Sequence, residues 1–317
     1  IRTLGSEDFS RTEILSQAEN RTMGTSQAIA ACKKIAFLTF DDGLQPGTQE
    51  VYNVIKSKGV KATFFLTGAH TKYAVETMKQ GPLLKKLAED PEIDLGNHSS
   101  SHANQYYEGY YDKGGVLLKD GKTRRTVLDD FKHCDKTLSK SLGLTSPKKW
   151  NHARLPGRNT WRAVPGVADE TAGDVFGPGD TYDEANALKS AGYQIYGWDY
   201  EWEMDFDGTT NHSDYDAEVD RACESAADKI CWREENYRKS FRFISTVDRV
   251  KYDASAAAAA ANNKITAWFQ GPRKTGKLII LMHERAFRGP KEHTDKLANF
   301  IDALKIAGFC FDKISNF

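Results

Sequence analysis

Ile35-Ala36-Phe37-Leu38-Thr39-Phe40-Asp41-Asp42-Gly43 is the stretch that decides the fold of this chain. Its apolar run has the length and density of a buried strand, and it stops at two adjacent carboxylates and a glycine. A strand ending this way presents acid groups at the rim of a sheet, where parallel α/β enzymes keep their chemistry. Alone, Asp-Asp-Gly is also ordinary turn chemistry. The balance shifts with Gly96-Asn97-His98-Ser99-Ser100-Ser101-His102 downstream. Two acids and two histidines at i, i+4 spacing are the parts of a metal site with a base beside it.

Around that strand a strand–helix rhythm sets in. The pattern predicts strands over 35–40, 61–66, 92–96, 150–154, 193–200 and 277–282. It predicts helices over 49–58, ending at Gly59, and over 82–89, 124–142 and 292–307. Strands alternating with helices argue for a parallel sheet or barrel. The expected fold class is α/β: a distorted (β/α) barrel with about seven parallel strands, forming one domain over residues 34–317. Residues 1–33 read as a polar N-terminal extension, and about 203–276 as a long polar insert lying outside the barrel. Within the insert, Ala256 to Ala261 reads either as a surface helix or as alanines standing in for unidentified side chains.

Composition narrows the function classes. The 317 residues carry 44 Lys plus Arg and 44 Asp plus Glu, a net charge of zero. No basic field exists to recruit nucleic acid or an anionic membrane, and no apolar run reaches the length of a membrane span. Aromatic residues make up 11%, fillers of cores and also the side chains that stack on sugar rings. Cys32, Cys134, Cys223, Cys231 and Cys310 are odd in number, so one at least is unpaired within the chain. Cys223 and Cys231 are close enough in sequence to bridge. The chain begins at Ile1 rather than Met, which suggests a removed leader or tag.

The chemistry can be assembled from strand ends. A catalytic zinc needs three protein ligands and an open position, and Asp42, His98 and His102 supply an oxygen and two nitrogens. Asp41, beside a ligand but directed differently, is placed to take a proton from water. Arg154, in Ala153-Arg154-Leu155-Pro156-Gly157-Arg158, closes another strand and is a candidate partner for Asp41. His283 ends Leu278-Ile279-Ile280-Leu281-Met282-His283, and a strand-end histidine suits a general acid. Each has a plainer reading, as surface histidine, surface salt bridge or structural residue. Their joint order along four strand ends points to one hydrolytic site.

These segments resemble the polysaccharide deacetylases, the NodB-homology domains of carbohydrate esterase family 4. Thr39-Phe40-Asp41-Asp42-Gly43 is similar to the family's first motif, which implies Asp41 as base and Asp42 as metal ligand. Asn97 to His102 resembles the second, implying His98 and His102 as ligands. Arg154-Leu155-Pro156 resembles the third, whose Arg positions the base, and Leu281-Met282-His283 the fifth, whose His is the acid. The resemblance also implies an acetyl-methyl pocket lined by Leu281 and an oxyanion contact from the Gly157 N–H, where the family usually has an aromatic residue. Trp198-Asp199-Tyr200-Glu201-Trp202 stands where the family has Asp-x-x-Asp-Trp. It implies a substrate-side Trp202, and Asp199 or Glu201 as support for the catalytic groups.

The expected function is metal-dependent removal of acetyl groups from N-acetylated amino sugars of a polysaccharide. Peptidoglycan is preferred to chitin; an O-acetyl esterase on a xylan-like polymer and a catalytically silent carbohydrate-binding module are the alternatives. One divalent ion is implied, zinc first and cobalt or another ion second. A secreted or periplasmic location is expected. The Asn-x-Ser/Thr triplets at Asn20, Asn97 and Asn211 read as coincidence, and Asp205-Phe206-Asp207-Gly208 as a solvated turn. His70, His133, His152, His212 and His293 carry no partner pattern.

Overall fold

The structure is a computed structural model, and it describes residues 32–102, 116–117, 124–171, 181–202, 254–270, 276–288 and 291–317. Strand β1 (Lys34–Gly43) is its axis: from Ala36 to Gly43 every residue is buried, as a strand covered on both faces requires. It leads into helix α1 (Thr48–Lys58), which stops at Gly59 in a left-handed conformation whose N–H caps the Ile55 and Lys56 carbonyls. Strand β2 (Ala62–Leu66), helices α2 (Gly68–Glu76) and α3 (Gly81–Glu89) and strand β3 (Ile93–Asn97) follow. Two-residue strands β4 (Val116–Leu117) and β5 (Arg124–Arg125) precede helix α4 (Val127–Ser141). At its start Thr126 and Asp129 satisfy each other's backbone N–H groups in a capping box.

Beyond α4 come β6 (His152–Ala153), β7 (Thr160–Trp161), β8 (Glu170–Thr171), helix α5 (Tyr182–Ser190), β9 (Gln194–Ile195) and β10 (Tyr200–Glu201). Helix α6 (Ala254–Gln270), β11 (Lys277–His283), helix α7 (Lys291–Ile306) and β12 (Phe309–Asp312) complete the described chain. The main sheet runs β10-β11-β1-β2-β3-β6-β9, with β12 added beside the start of β1. Each of its pairings is parallel. Cyclic order with no ladder between β9 and β10 makes this a distorted (β/α) barrel, curled and open along one seam.

The seam explains where sequence pattern and structure differ. A single strand was expected over 193–200, yet β9 and β10 are two short strands on opposite sides of the gap. The 150–154 strand shrinks to two residues at the same thin wall. Residues 254–270, counted with the insert in the sequence, form the helix that crosses from β10 to β11. Ala257, Ala258, Ala261 and Ile265 are buried there, in the same cluster as Leu278, Ile280 and Leu297. The alanine run is therefore a packed helix face, small enough to lie close against the sheet. Residues 1–31 and 203–253 lie outside the described residues, as do Cys223 and Cys231.

Cys32 and Cys310 form a disulfide with a Cα–Cα distance of 6.2 Å, tying the entry to β1 to strand β12. The pattern of the sequence did not offer this pair, because 278 positions separate the two residues. Cys134 is a free, buried thiol on α4. The core beneath the site is aromatic: Phe40 stacks on Phe64 at 5.3 Å and meets the edge of Phe287 at 6.2 Å.

Candidate active site

The C-terminal ends of β1, β3, β6 and β11 converge. Register aligns Asp41 with His283 across β1 and β11, and Asn97 with Ala153 across β3 and β6. The residues that follow those last two, His98 and Arg154, therefore leave their strands at one level. Asp42, His98 and His102 gather so that one ligand atom from each lies within 4.8 Å of the others. His102 Nε2 is 3.1 Å and His98 Nε2 3.4 Å from Asp42 Oδ1. That oxygen is buried and has no well-formed hydrogen bond, as expected of a carboxylate whose partner is an ion. Asp42 and His102 also hold left-handed backbone angles, with φ of 77° and 58°, conformations that cost non-glycine residues energy and recur at functional sites.

The donor chemistry fits a divalent cation. His98 Nδ1 lies 2.9 Å from the Arg154 carbonyl; donating there leaves the Nε2 lone pair facing Asp42. Burial pushes the Asp42 carboxyl up, but His102 and Arg285 outweigh it and hold it well below the usual carboxylate range. Burial alone would lower His98; Asp41 and Asp42 reverse that and raise it. In His102 burial prevails and its pKa is lowered.

Arg154 is fully buried and spends its guanidinium on the base and its surroundings. Nη1 donates to Asp41 Oδ1 and to Thr39 Oγ1, both at 2.8 Å. Nε and Nη2 donate to the Tyr196 and Gly197 carbonyls at 3.1 and 2.9 Å, and the plane lies 4.4 Å from the Phe65 ring centre. Asp41 is thus clamped through Oδ1, while Oδ2 faces His98 Nε2 at 3.5 Å. Arg154 was expected to partner Asp41, and it does.

His283 stands with its Nε2 3.9 Å from Asp42 Oδ2 and its side chain 27% exposed, open to the cleft. Burial, with Arg285 adding to it, pushes its pKa down to about 4. A general acid at this position is therefore not charged at rest near pH 7 and has to gain its proton within the reaction. Asp199 and Glu201 both act through their charge on Arg154, and Asp199 Oδ2 also accepts from the Ile279 N–H at 2.7 Å, completing the backbone pairing of β11.

Trp202 corrects an expectation. Its ring is buried against Phe300 at 4.3 Å and Phe287 at 6.4 Å, packing between sheet and helices rather than lining a groove. Leu281 is buried on β11 opposite Thr39. Gly157 sits in the turn after Arg154 with φ 64°, a conformation glycine adopts without strain.

Several positioning groups carried no sequence signal. His70, on α2, is fully buried, and its Nδ1 lies 2.6 Å from the Asp42 carbonyl oxygen. Helix α4 cradles the loop that bears both histidines. Asp130 accepts from Ser101 Oγ at 2.6 Å, His133 meets Ser100 Oγ at 3.0 Å, and Asp135 accepts from Asn97 Nδ2 at 2.8 Å. Glu284 is fully buried, and burial with the charges of Asp42 and Asp41 raises its pKa well above the usual range. Its Oε1 would lie 2.1 Å from a Cβ at residue 43, which explains the glycine after the two acids.

Comparison with known proteins accords with the site. The family described as Polysaccharide deacetylase matches residues 28–171. Over that span the chain is similar to the polysaccharide deacetylases. The chain is 25% identical to a chitin disaccharide deacetylase of Vibrio alginolyticus, over 90% of this chain and 71% of that protein. It is 40% identical to a peptidoglycan-N-acetylglucosamine deacetylase of Bacillus cereus over 127 residues, 40% of this chain and 39% of that protein. A carbohydrate esterase family 4 structure from Streptococcus mutans aligns with 92% of this chain and 90% of that one, at TM-score 0.48 and 19% identity.

Proposed function

We propose that this chain is a polysaccharide deacetylase, a divalent-metal-dependent N-deacetylase acting on N-acetylated amino sugars of a polymer, peptidoglycan first and chitin second. The observation that carries it is the meeting of Asp41, Asp42, His98, His102, Arg154 and His283 at one end of the barrel. A pure sugar binder has no use for a clamped carboxylate facing a histidine across a cation pocket.

Asp42, His98 and His102 would hold the ion. Zinc suits one oxygen and two imidazole nitrogens, with cobalt or another ion as alternatives. When bound, such an ion supplies Lewis acidity toward water and an amide carbonyl. Asp41, fixed through Oδ1 by Arg154, accepts the proton of the attacking water on Oδ2. The Gly157 N–H stabilises the carbonyl oxygen as it gains charge, and Leu281 borders the acetyl methyl group. His283, neutral at rest, takes that proton on from Asp41 and delivers it to the departing amine, which leaves Asp41 ionised again. Relay through a neutral imidazole replaces the simpler picture of an acid waiting in its protonated form.

A cell-envelope or secreted location is part of the proposal. The Cys32–Cys310 bridge supports it, since such bonds persist in oxidising compartments. Mass spectrometry of peptidoglycan fragments and chitin oligomers after incubation tests the activity: loss of acetyl groups is expected with the wild type and not with Asp41→Asn. Unchanged masses for both polymers with the metal-loaded wild type would overturn it.

A further inference from the structure

None of the steps above uses helix α2, although its first turn touches both loops that carry the metal ligands. The helix has no side-chain cap at Thr67. Its opening N–H groups, which find no partner within a helix, go to those loops instead. Thr67 N–H donates to the Gly43 carbonyl at 2.7 Å, one residue past Asp42. Gly68 and Ala69 N–H donate to the Ser99 and Ser100 carbonyls at 3.1 and 2.9 Å, between His98 and His102. His70, fully buried, adds a side-chain bond to the Asp42 carbonyl at 2.6 Å. A carbonyl oxygen only accepts, so the proton of this imidazole sits on Nδ1.

Each contact lands on backbone that needs holding. Asp42 and Ser99 have φ of 77° and 66°, left-handed conformations that non-glycine residues keep only where the surroundings over-determine them. His70 fastens the first at its carbonyl, and Gly68 the second. The hold on Ser99 is passed on, because its Oγ accepts from the His102 N–H at 2.8 Å. Helix and loop also approach closely. A Cβ at residue 68 would lie 2.5 Å from Ser100 Oγ and 3.1 Å from its Cα, so the contact needs glycine.

We infer that the first turn of α2 is the template that fixes the spacing of the two ligand loops, with His70 as the positioning residue for Asp42. One turn holds the Asp42 loop through Thr67 and His70, and the His98–His102 loop through Gly68 and Ala69. The site is thereby set before an ion arrives, with Asp42 Oδ1 3.1 Å from His102 Nε2 and 3.4 Å from His98 Nε2. An ion entering such a site has little ordering of its ligands left to drive, so its affinity depends on the turn. This inference rests on the reading of Asp42, His98 and His102 as a divalent-metal site. It places a determinant of ion affinity in residues that do not themselves ligate.

Zinc and cobalt affinities of metal-stripped protein, measured by competition with a chromophoric chelator, test this without turnover. His70→Leu should weaken zinc binding by about 10–100-fold, as the loss of groups that orient ligands does. It should also alter the visible spectrum of the cobalt-loaded protein, which reports ligand geometry. His70→Asn, whose side-chain N–H can stand near the place of Nδ1, should recover most of the affinity and the wild-type spectrum. Leu297→Ala opens a cavity in the core at α7, away from the site. It should lower the denaturation midpoint at least as much as His70→Leu yet leave both metal readouts unchanged. Wild-type affinity and spectrum in His70→Leu overturn the inference, as does a loss that His70→Asn fails to restore or that Leu297→Ala reproduces. Should His70→Leu fail to fold, Gly68→Ala, which pushes Ser100 away, carries the comparison, and unchanged zinc affinity there overturns it equally. A wild type that binds no divalent ion sinks the metal reading itself, whereas binding that survives these substitutions sinks the template alone.

Discussion

Replacing Arg154 by Met should destabilise the protein as well as silence it. The guanidinium makes four hydrogen bonds at 2.8 to 3.1 Å, one of them to the Asp41 carboxylate. Asp41 itself is 2% exposed, and the Tyr196 and Gly197 carbonyls lose their donors with it. Breaking a buried pair by removing one partner costs about 3–5 kcal/mol, because the remaining charge is buried without compensation. Two unpaired carbonyls add about 1–3 kcal/mol each at most, and the terms overlap. A net loss of about 4 kcal/mol is therefore expected, against a domain stability of about 5–15 kcal/mol. Guanidinium denaturation of metal-free protein measures it. The double variant Asp41→Asn with Arg154→Met should lose clearly less than the sum of the two single losses, since the orphaned charge is gone. Arg154→Met within 1 kcal/mol of wild type, or strict additivity, would refute the clamp.

Three further outcomes follow from particular groups. The His283 proton resonance in metal-free protein should titrate near pH 4 and shift upward in Arg285→Met; a midpoint at the ordinary histidine value in the wild type contradicts the relay. Asp90 has a depressed pKa, because its bonds from Lys56, the Glu92 N–H and Tyr52 outweigh burial. Its contribution is thus complete above the unfolded carboxylate range and lost as pH falls through the lower folded value; melting curves of Asp90→Asn should be flatter across that acid window than those of wild type. Cys310→Ser should lower stability by up to about 5 kcal/mol, because the bridge closes a loop spanning nearly the whole chain, and unchanged denaturation midpoints in wild type with and without reductant would contradict this.

Much of the site was legible because the barrel's inner strands are covered on both faces. A continuous apolar run such as 35–40 has few alternatives, and the acids at its end inherit a defined place. The histidine pair was legible from spacing, and Arg154 and His283 from strand ends. What stayed hidden depends on contacts between distant segments. Helix α2 opens Gly-Ala-His-Thr, a polar start with no strong apolar stripe, so His70 gave no hint of its bond to the Asp42 carbonyl. Trp202 carries a motif-like neighbourhood, yet Phe300, far along the chain, claims its ring for the core. The short strands β9 and β10 border the open seam and β6 lies next to β9, where few ladder bonds exist to impose period two. Asp199 also accepts from a backbone N–H of β11, a contact set by register that sequence order alone does not reveal.

Acetate release from muramyl and chitin oligosaccharides, with one preparation assayed as loaded, after chelation and after zinc is restored, tests the central claim most directly. Release by the loaded protein, its loss on chelation and recovery with zinc are the predicted results, with His98→Ala holding far less metal and failing to recover. Undiminished release after metal content has fallen to background, or full activity in His98→Ala, would contradict the assignment of Asp42, His98 and His102 as the centre of a metal-dependent deacetylase.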